Sequence, residues 1–306
     1  MSCNQWKIDE TAARDIIGTL AAVRAKRPLV HCITNYVTVN DCANALLAVG
    51  ASPVMADDIA EAAEIASIAD ALVINIGTLN ERTIRSMVKA CRSAADKGIP
   101  LVLDPVGAGA SRLRTETARS LVGDCRFSVI RGNASEIRAL VGDGATRGVD
   151  ASEDDSAESA FAQTARTAAQ LAGGTGSIVA VTGAVDIVTD GKRSLAIGNG
   201  HPLMARITGS GCMLSAVVGA IAGANPDRLL DATAAAVCLM GLAGERAATS
   251  GRSSIDAGNS RDAGADPAHA ADRPIGTGSF RTALIDGLSL LDGQAVQRGM
   301  KIARYP

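Results

Sequence analysis

The sequence predicts an α/β protein with a mostly parallel central sheet and helices on both faces. Three observations lead there. Short runs rich in Val, Ile and Leu alternate with longer amphipathic runs. The short runs are apolar on both sides, as strands covered from above and below are. Polar and glycine residues also gather where several of these runs end.

Taken in order, strands are expected over residues 28–33, 71–76, 101–104, 128–130 and 177–182, each a continuous apolar run. Helices are expected over 81–97, 112–122, 135–141 and 156–172. Residues 186–190 and 193–197 then read as a hairpin turning at Asp190-Gly191. Two Ala-rich segments, 212–224 and 226–248, predict helices in close contact, and core is their default reading. A last helix is expected from Ser279 through Leu291. Between them, 249–274 has almost no large apolar residue except Ile255, and reads as a mobile surface loop. Residues 143–155 form a shorter polar loop candidate. No domain boundary or internal repeat is visible, so residues 1–306 are expected to form one domain.

Composition narrows the function. The chain is 47% hydrophobic and 20% charged, a globular balance long enough to bury a sizeable core. A net charge of -2 lacks the positive field that nucleic acid or an anionic membrane requires. Aromatic residues at 2% argue against base-stacking platforms. His31, His201 and His269 are too scattered to suggest a histidine metal centre. Seven cysteines, with no Cys-x-x-Cys pair, fit a reducing compartment rather than a disulfide framework. The N-terminus carries Asp9, Glu10 and Asp15 without an apolar core, so it does not read as a signal peptide. No apolar run reaches the ~18–20 residues of a membrane span. A cytoplasmic protein is expected.

The most informative string is Arg206-Ile207-Thr208-Gly209-Ser210-Gly211-Cys212, which runs straight into a helix. Glycines before a helix start leave backbone N–H groups free at the positive dipole end, a place for a phosphate or a developing anion. The alternative is a glycine-rich helix entry with no ligand. A thiol at that position has its pKa lowered and can serve as a base or nucleophile, although a buried inert thiol is the commoner fate of a cysteine.

Asp104, followed by Pro105-Val106-Gly107-Ala108-Gly109, ends a strand where open α/β sheets bind ligands. It suits a metal–phosphate unit or a simple turn cap. Arg112 replaces the third glycine of a dinucleotide fingerprint, and no P-loop string occurs. In Arg131-Gly132-Asn133-Ala134-Ser135-Glu136, Asn133 and Glu136 fit a helix capping pair. The other reading has Arg131 holding phosphate and Glu136 reaching Mg²⁺ through water. Asn35 is a ligand hydrogen-bonder or a turn residue, Met55 a pocket lining or core filler, and Thr182 another strand-end hydroxyl. One shared crevice at the C-terminal strand ends would hold the parts of phosphoryl transfer.

These strings together resemble the hydroxyethylthiazole kinase family, thiamine-salvage enzymes of the ribokinase-like superfamily. The resemblance rests on Pro28 to Asn35, Gly50 to Ala56, Asn75-Ile76-Gly77-Thr78, Asp104 to Ala110, Arg131-Gly132-Asn133 with Glu136, and Ile207 to Cys212. They occur in the family's order and cover most of residues 28–245, plus Gly278-Ser279-Phe280. A cysteine after Gly-x-Gly is specific, because most of the superfamily carries an aspartate base there.

The resemblance implies a ribokinase-like three-layer fold and ATP-dependent phosphorylation of 5-(2-hydroxyethyl)-4-methylthiazole. It implies that Arg131 and Thr182 contact ATP and that Asp104 and Glu136 support Mg²⁺. Met55 and Gly209 would contact the thiazole with Asn35 nearby, and Gly209, Gly211 and Cys212 would build the anion hole. A homotrimer with the pocket between subunits is also implied. Two departures stand out. Cys32 replaces an expected Asn, and the 249–274 segment is longer than the family's connection, though long insertions cost little closure entropy. Rival readings are a hydroxymethylpyrimidine or pyridoxal kinase, a nucleotide-repair lyase of the same superfamily, and a nucleotide-binding regulator without turnover.

Overall fold

Buried strands with both faces covered need helices above and below, and the chain supplies them. The computed structural model describes residues 10–142, 157–250 and 275–306. Its strands are β1 Leu29–Ile33, β2 Ser52–Val54, β3 Ala71–Asn75, β4 Leu101–Asp104, β5 Val129–Asn133 and β6 Ile178–Thr182. The set closes with β7 Asp186–Thr189, β8 Ser194–Ile197 and β9 Ile302–Tyr305. They form one sheet in the order β2-β1-β3-β4-β5-β6-β7-β8-β9. The first six pair in parallel, and β7, β8 and β9 add by antiparallel pairing.

The helices are α1 Glu10–Lys26, α2 Val39–Val49, α3 Ala62–Ile68, α4 Glu81–Lys97, α5 Arg112–Asp124 and α6 Ala134–Val141. After them come α7 Ala157–Thr175, α8 Ser210–Ala224, α9 Leu229–Ser250, α10 Thr277–Leu290 and α11 Gly293–Gly299. Alternation along each strand divides the core in two. Val73 joins a cluster with α1, α2 and α8–α11, while its neighbours Leu72 and Ile74 join one with α3–α7. Each such side chain is fully or nearly fully buried, which contributes roughly 1.5–3 kcal/mol. The result is the three-layer arrangement expected from the sequence.

Local chemistry sets the helix starts. Asn80 and Thr83 form a reciprocal capping box at α4, and Ser111 accepts from the Arg114 N–H at α5. Helix α6 begins on the Asn133–Glu136 box that the spacing predicts. The Ala-rich pair α8 and α9 is core, buried along most of its length. Among the described residues, no helix is long and apolar enough to cross a membrane.

Several boundaries differ from expectation. Strand β5 continues to Asn133, because Arg131, Gly132 and Asn133 extend the ladder against Ala180, Val181 and Thr182 of β6. Pro226 opens a short 3₁₀ turn, Pro226–Arg228, before α9 rather than the helix itself. Thr249 and Ser250 close α9 instead of opening a loop. The rest of the loop expected over 249–274, and the one expected over 143–155, lie outside the described residues. Helices α1, α2, α3 and α11 and strands β2 and β9 were not anticipated.

Candidate functional site

Parallel pairing brings the C-terminal ends of β1, β3, β4, β5 and β6 to one edge, and the start of α8 lies over that edge. Asn75 and Asp104 are register partners on β3 and β4. The Asn75 amide donates to Asp104 Oδ2 at 2.8 Å and to Cys212 Sγ at 3.3 Å. Asn35, just past β1, donates to Asn75 Oδ1 at 3.1 Å and to Cys212 Sγ at 3.2 Å. Two amides therefore fix the sulfur in place as an acceptor. Ser215, one turn further along α8, donates to Asp104 Oδ2 at 2.8 Å.

Arg131 lies across the same carboxylate, its Nη1 at 3.7 Å from Asp104 Oδ2. Its Nη2 donates to Thr182 Oγ1 at 2.7 Å, crossing from β5 to β6. Burial pushes the Asp104 carboxyl above its ordinary range, against the pull of Arg131 and the hydrogen bonds from Ser215 and Asn75. Among the described residues, Asp104 Oδ1, Arg131 Nε and His31 Nδ1 are buried without a hydrogen-bond partner. Unpaired buried polar atoms are rare, and two of these three belong to the charged side chains under the α8 start.

Glycine is required at that start for two separate reasons. Gly209 caps α8 with φ +85°, and a Cβ there would meet Thr38 Cγ2 at 2.7 Å. Gly211 has no such backbone demand, but its Cβ would meet Arg131 Nη1 at 2.6 Å. The guanidinium is thus seated directly against the helix start. The first intrahelical bond runs from Met213 N to Gly209 O, leaving the preceding N–H groups without intrahelical acceptors. Thr38 is itself held by Asn35 Oδ1, through N–H at 3.1 Å and hydroxyl at 3.0 Å. Behind it, buried Asp41 of α2 accepts both Nε and Nη2 of Arg281 on α10.

Each oxygen of the Glu136 carboxylate accepts one backbone N–H. Its Oε2 accepts from Asn133 N at 2.8 Å and its Oε1 from Gly107 N at 2.9 Å. The capping reading is therefore observed, and the same side chain ties the loop after β4 to the loop after β5. Asp104 offers the free oxygen to any cation. Among the described residues no three His, Cys, Asp or Glu side chains converge to hold a metal unaided.

Two cavities adjoin the cluster. One of about 560 Å³ is walled by Arg131, Thr182, Asp186, Gly211, Met204 and Met240, among others. Burial pushes the Asp186 carboxyl up to about 7, opposed by the Gly183 N–H and the Arg131 charge. The other cavity, about 310 Å³, is walled by Met55, Cys32, Thr34, Tyr36 and Asn75 among others. His31 supports it from below, its Nε2 donating to the Ala56 carbonyl next to Met55 at 2.7 Å.

Asn35, Asp104, Arg131, Thr182, Gly209, Gly211 and Cys212 thus converge as the sequence predicts. Met55 shares the smaller cavity with Asn75, and Glu136 shapes the loops beside the cluster. Sequence reasoning missed Asn75, Ser215, Thr38, Asp41 and Asp186. Asn75 carries the signal that exposed Asp104, a polar residue ending an apolar strand. Ser215 is one helical turn from Gly211, whose carbonyl its hydroxyl also meets.

A parallel sheet closed by an antiparallel hairpin, with a glycine-led helix over its C-terminal strand ends, defines the ribokinase-like class of small-molecule kinases. The pyridoxal kinase of Staphylococcus aureus in complex with ADP shares that fold, with a TM-score of 0.51 at 14% identity over 71% of this chain and 87% of that one. The chain belongs to the hydroxyethylthiazole kinase family, whose model matches residues 20–294. A hydroxyethylthiazole kinase of Desulfovibrio desulfuricans is 49% identical over 300 residues, 96% of this chain and 99% of that one. Another from Ruminiclostridium cellulolyticum is 48% identical over 91% of this chain and 93% of its own length. The solved structure from Pyrococcus horikoshii OT3 has a TM-score of 0.79 at 38% identity, covering 96% of this chain and all of that one.

Proposed function

We propose that this protein transfers the γ-phosphoryl group of ATP to the hydroxyl of 5-(2-hydroxyethyl)-4-methylthiazole. The observation that carries the reading is Arg131, a buried guanidinium seated against Gly211 and tied to both Thr182 and Asp104. It places a fixed cation beside free helix N–H groups, the pair that positions and neutralises a transferring phosphoryl group. ATP would enter the 560 Å³ cavity with Arg131 and Thr182 on its phosphates. The thiazole would occupy the 310 Å³ cavity against Met55, with Gly209 and Asn35 toward its hydroxyethyl arm.

In the transfer, the substrate oxygen bonds to the γ-phosphorus as the bond from that phosphorus to the bridging oxygen of ADP breaks, and the hydroxyl proton passes late to a phosphoryl oxygen of the product. The transition state is loose, so the attacking hydroxyl needs orientation more than a strong base. Cys212, held by Asn35 and Asn75, accepts a hydrogen bond from that hydroxyl and aims it. The N–H groups following Gly209 receive the charge on the phosphoryl oxygens. The partnerless Asp104 Oδ1 suits a cation that is mainly ligated by phosphates, and Glu136 would reach the same ion through water on its remaining lone pairs. Held there by Asp104 and Glu136, Mg²⁺ would supply charge neutralisation for the phosphates.

Tyr36 lines the thiazole cavity and is exposed at 79%, and its chain neighbour Val37 is exposed at 57%, unusual for such side chains. They support a homotrimer in which a second subunit completes that pocket. The deciding experiment is ADP release with ATP, Mg²⁺ and the thiazole alcohol, beside hydroxymethylpyrimidine and pyridoxal. Turnover with the thiazole alone is expected. Turnover with a control alone would move the substrate, and full activity in a dilute monomeric fraction would remove the subunit interface from the site.

A further inference from the structure

The 560 Å³ cavity has a mixed lining. Arg131 and Gly211 share its wall with the apolar side chains of Met204, Val237 and Met240. Most polar side chains on its wall are already committed. Asn199 donates to Glu245 and the Gly299 carbonyl and accepts from Lys301 N. His201 Nδ1 accepts from Leu203 N, and Ser210 donates to the Met204 carbonyl.

Asp186 is different. Its Oδ1 accepts the Gly183 N–H at 2.8 Å, and Oδ2 has no protein partner among the described residues. Strand β7 runs antiparallel to β6, so its first residue, Asp186, stands at the edge where the parallel strands end. Gly183, to which it is bonded, directly follows Thr182, which holds Arg131. Through its bond to Gly183, Asp186 is therefore held on the same cavity wall as Arg131 and Thr182. In a nucleoside triphosphate, the sugar is the hydroxyl-bearing part next to the phosphates.

We propose that Asp186 reads the ribose of the nucleotide donor, its free Oδ2 accepting a hydrogen bond from a sugar hydroxyl. This deepens the ATP reading above and rests on it. The residue sets donor specificity and takes no part in breaking or forming bonds at phosphorus. A carboxylate acceptor distinguishes a sugar hydroxyl from its deoxy counterpart, since the missing donor leaves the acceptor desolvated and unpaired.

The test compares kcat/KM for ATP, 2′-deoxy-ATP and 3′-deoxy-ATP in the parent protein, Asp186→Ala and Asp186→Asn. The parent is expected to disfavour one deoxy donor by roughly 10- to 100-fold, the range of a hydrogen bond to a charged group. Asp186→Ala should bring that ratio close to one, through a raised KM for ATP with kcat little changed. Asp186→Asn retains an oxygen for Gly183 and loses the charged acceptor, so its ratio should fall several-fold. Equal turnover of all three donors by the parent overturns the proposal. So does an equal loss with every donor in both variants, which would make Asp186 an anchor of the 183–185 turn and nothing more. Calorimetric titration with the same three nucleotides reads the ratio in Kd without turnover, so a failure of phosphoryl transfer and a failure of ribose recognition are distinguishable.

Discussion

Replacing Gly211 with alanine would test the site where it is tightest. The added Cβ would lie 2.6 Å from Arg131 Nη1, 2.9 Å from Nη2 and 3.1 Å from Cζ. Comfortable contact between heavy atoms needs ~3.5–4.0 Å, so the guanidinium must retreat by about 1 Å. It has little freedom to do so, since its side chain is 11% exposed and bonded to Thr182 at 2.7 Å. A retreat of that size breaks the Thr182 bond, worth roughly 1.5–3 kcal/mol, while alanine returns up to about 1 kcal/mol of helix propensity. The fold should therefore lose only about 1–2 kcal/mol. Catalysis should suffer more, because about 1 Å of misplacement is enough for roughly a 100-fold loss. Coupled ADP-release kinetics and urea unfolding separate the two effects. In an Arg131→Ala background the alanine at position 211 should cost almost nothing further, since the group it strikes is gone. Gly211→Ala with kcat/KM within a few-fold of the parent would refute the seating of Arg131 against the helix start.

Other expectations follow from the same geometry. Cys212→Ser should lower kcat/KM by less than Arg131→Ala, which removes a charged donor worth roughly 10²–10³ in rate; equal losses would make the thiol a principal catalytic group. Arg281→Ala leaves the Asp41 carboxylate buried and unpaired. Its cost should sit at the low end of the roughly 3–5 kcal/mol for broken buried pairs, because Arg281 is half exposed; unchanged urea unfolding would show that Asp41 does not depend on it. Asp186, raised from 3.8 to about 7, binds its proton more tightly folded than unfolded. Its stabilising contribution is complete below pH 3.8 and is lost as pH rises to about 7. Asp186→Asn should therefore gain stability relative to the parent between about pH 5 and about pH 8, and parallel profiles across that range would sink the assignment.

The parts of this fold that were legible in the sequence are those built on continuous apolar runs. Leu101–Asp104 and Glu81–Lys97 have the bounds their patterns predict. Strand β2 escaped because it is three residues long, carries Pro53 and sits at the sheet edge. Helix α2 escaped because Asn40, Asp41 and Asn44 interrupt its apolar face, and its burial comes from packing on α8 and α10. The site divides the same way. Asp104, Arg131 and the glycines announce themselves through local spacing at strand ends. Asn75 becomes a partner of Asp104 only once β3 and β4 are known to be neighbours, and Asp41 meets Arg281 across 240 residues of chain. Such contacts are written in the sheet order and the helix packing, which no local window contains.

The hairpin at the sheet's end has an evolutionary consequence. Six parallel strands share one register, and a slip in any of them would displace Asp104, Asn75 or Arg131 together. Strands β7 and β8 lie outside the parallel set, joined to each other across a short turn at Asp190 and Gly191. Substitutions or length changes there can remodel the Asp186 wall while Arg131 and Thr182 keep their place. If Asp186 reads the donor sugar as proposed, donor preference can drift between lineages independently of the transfer chemistry, and the two should show separate rates of change.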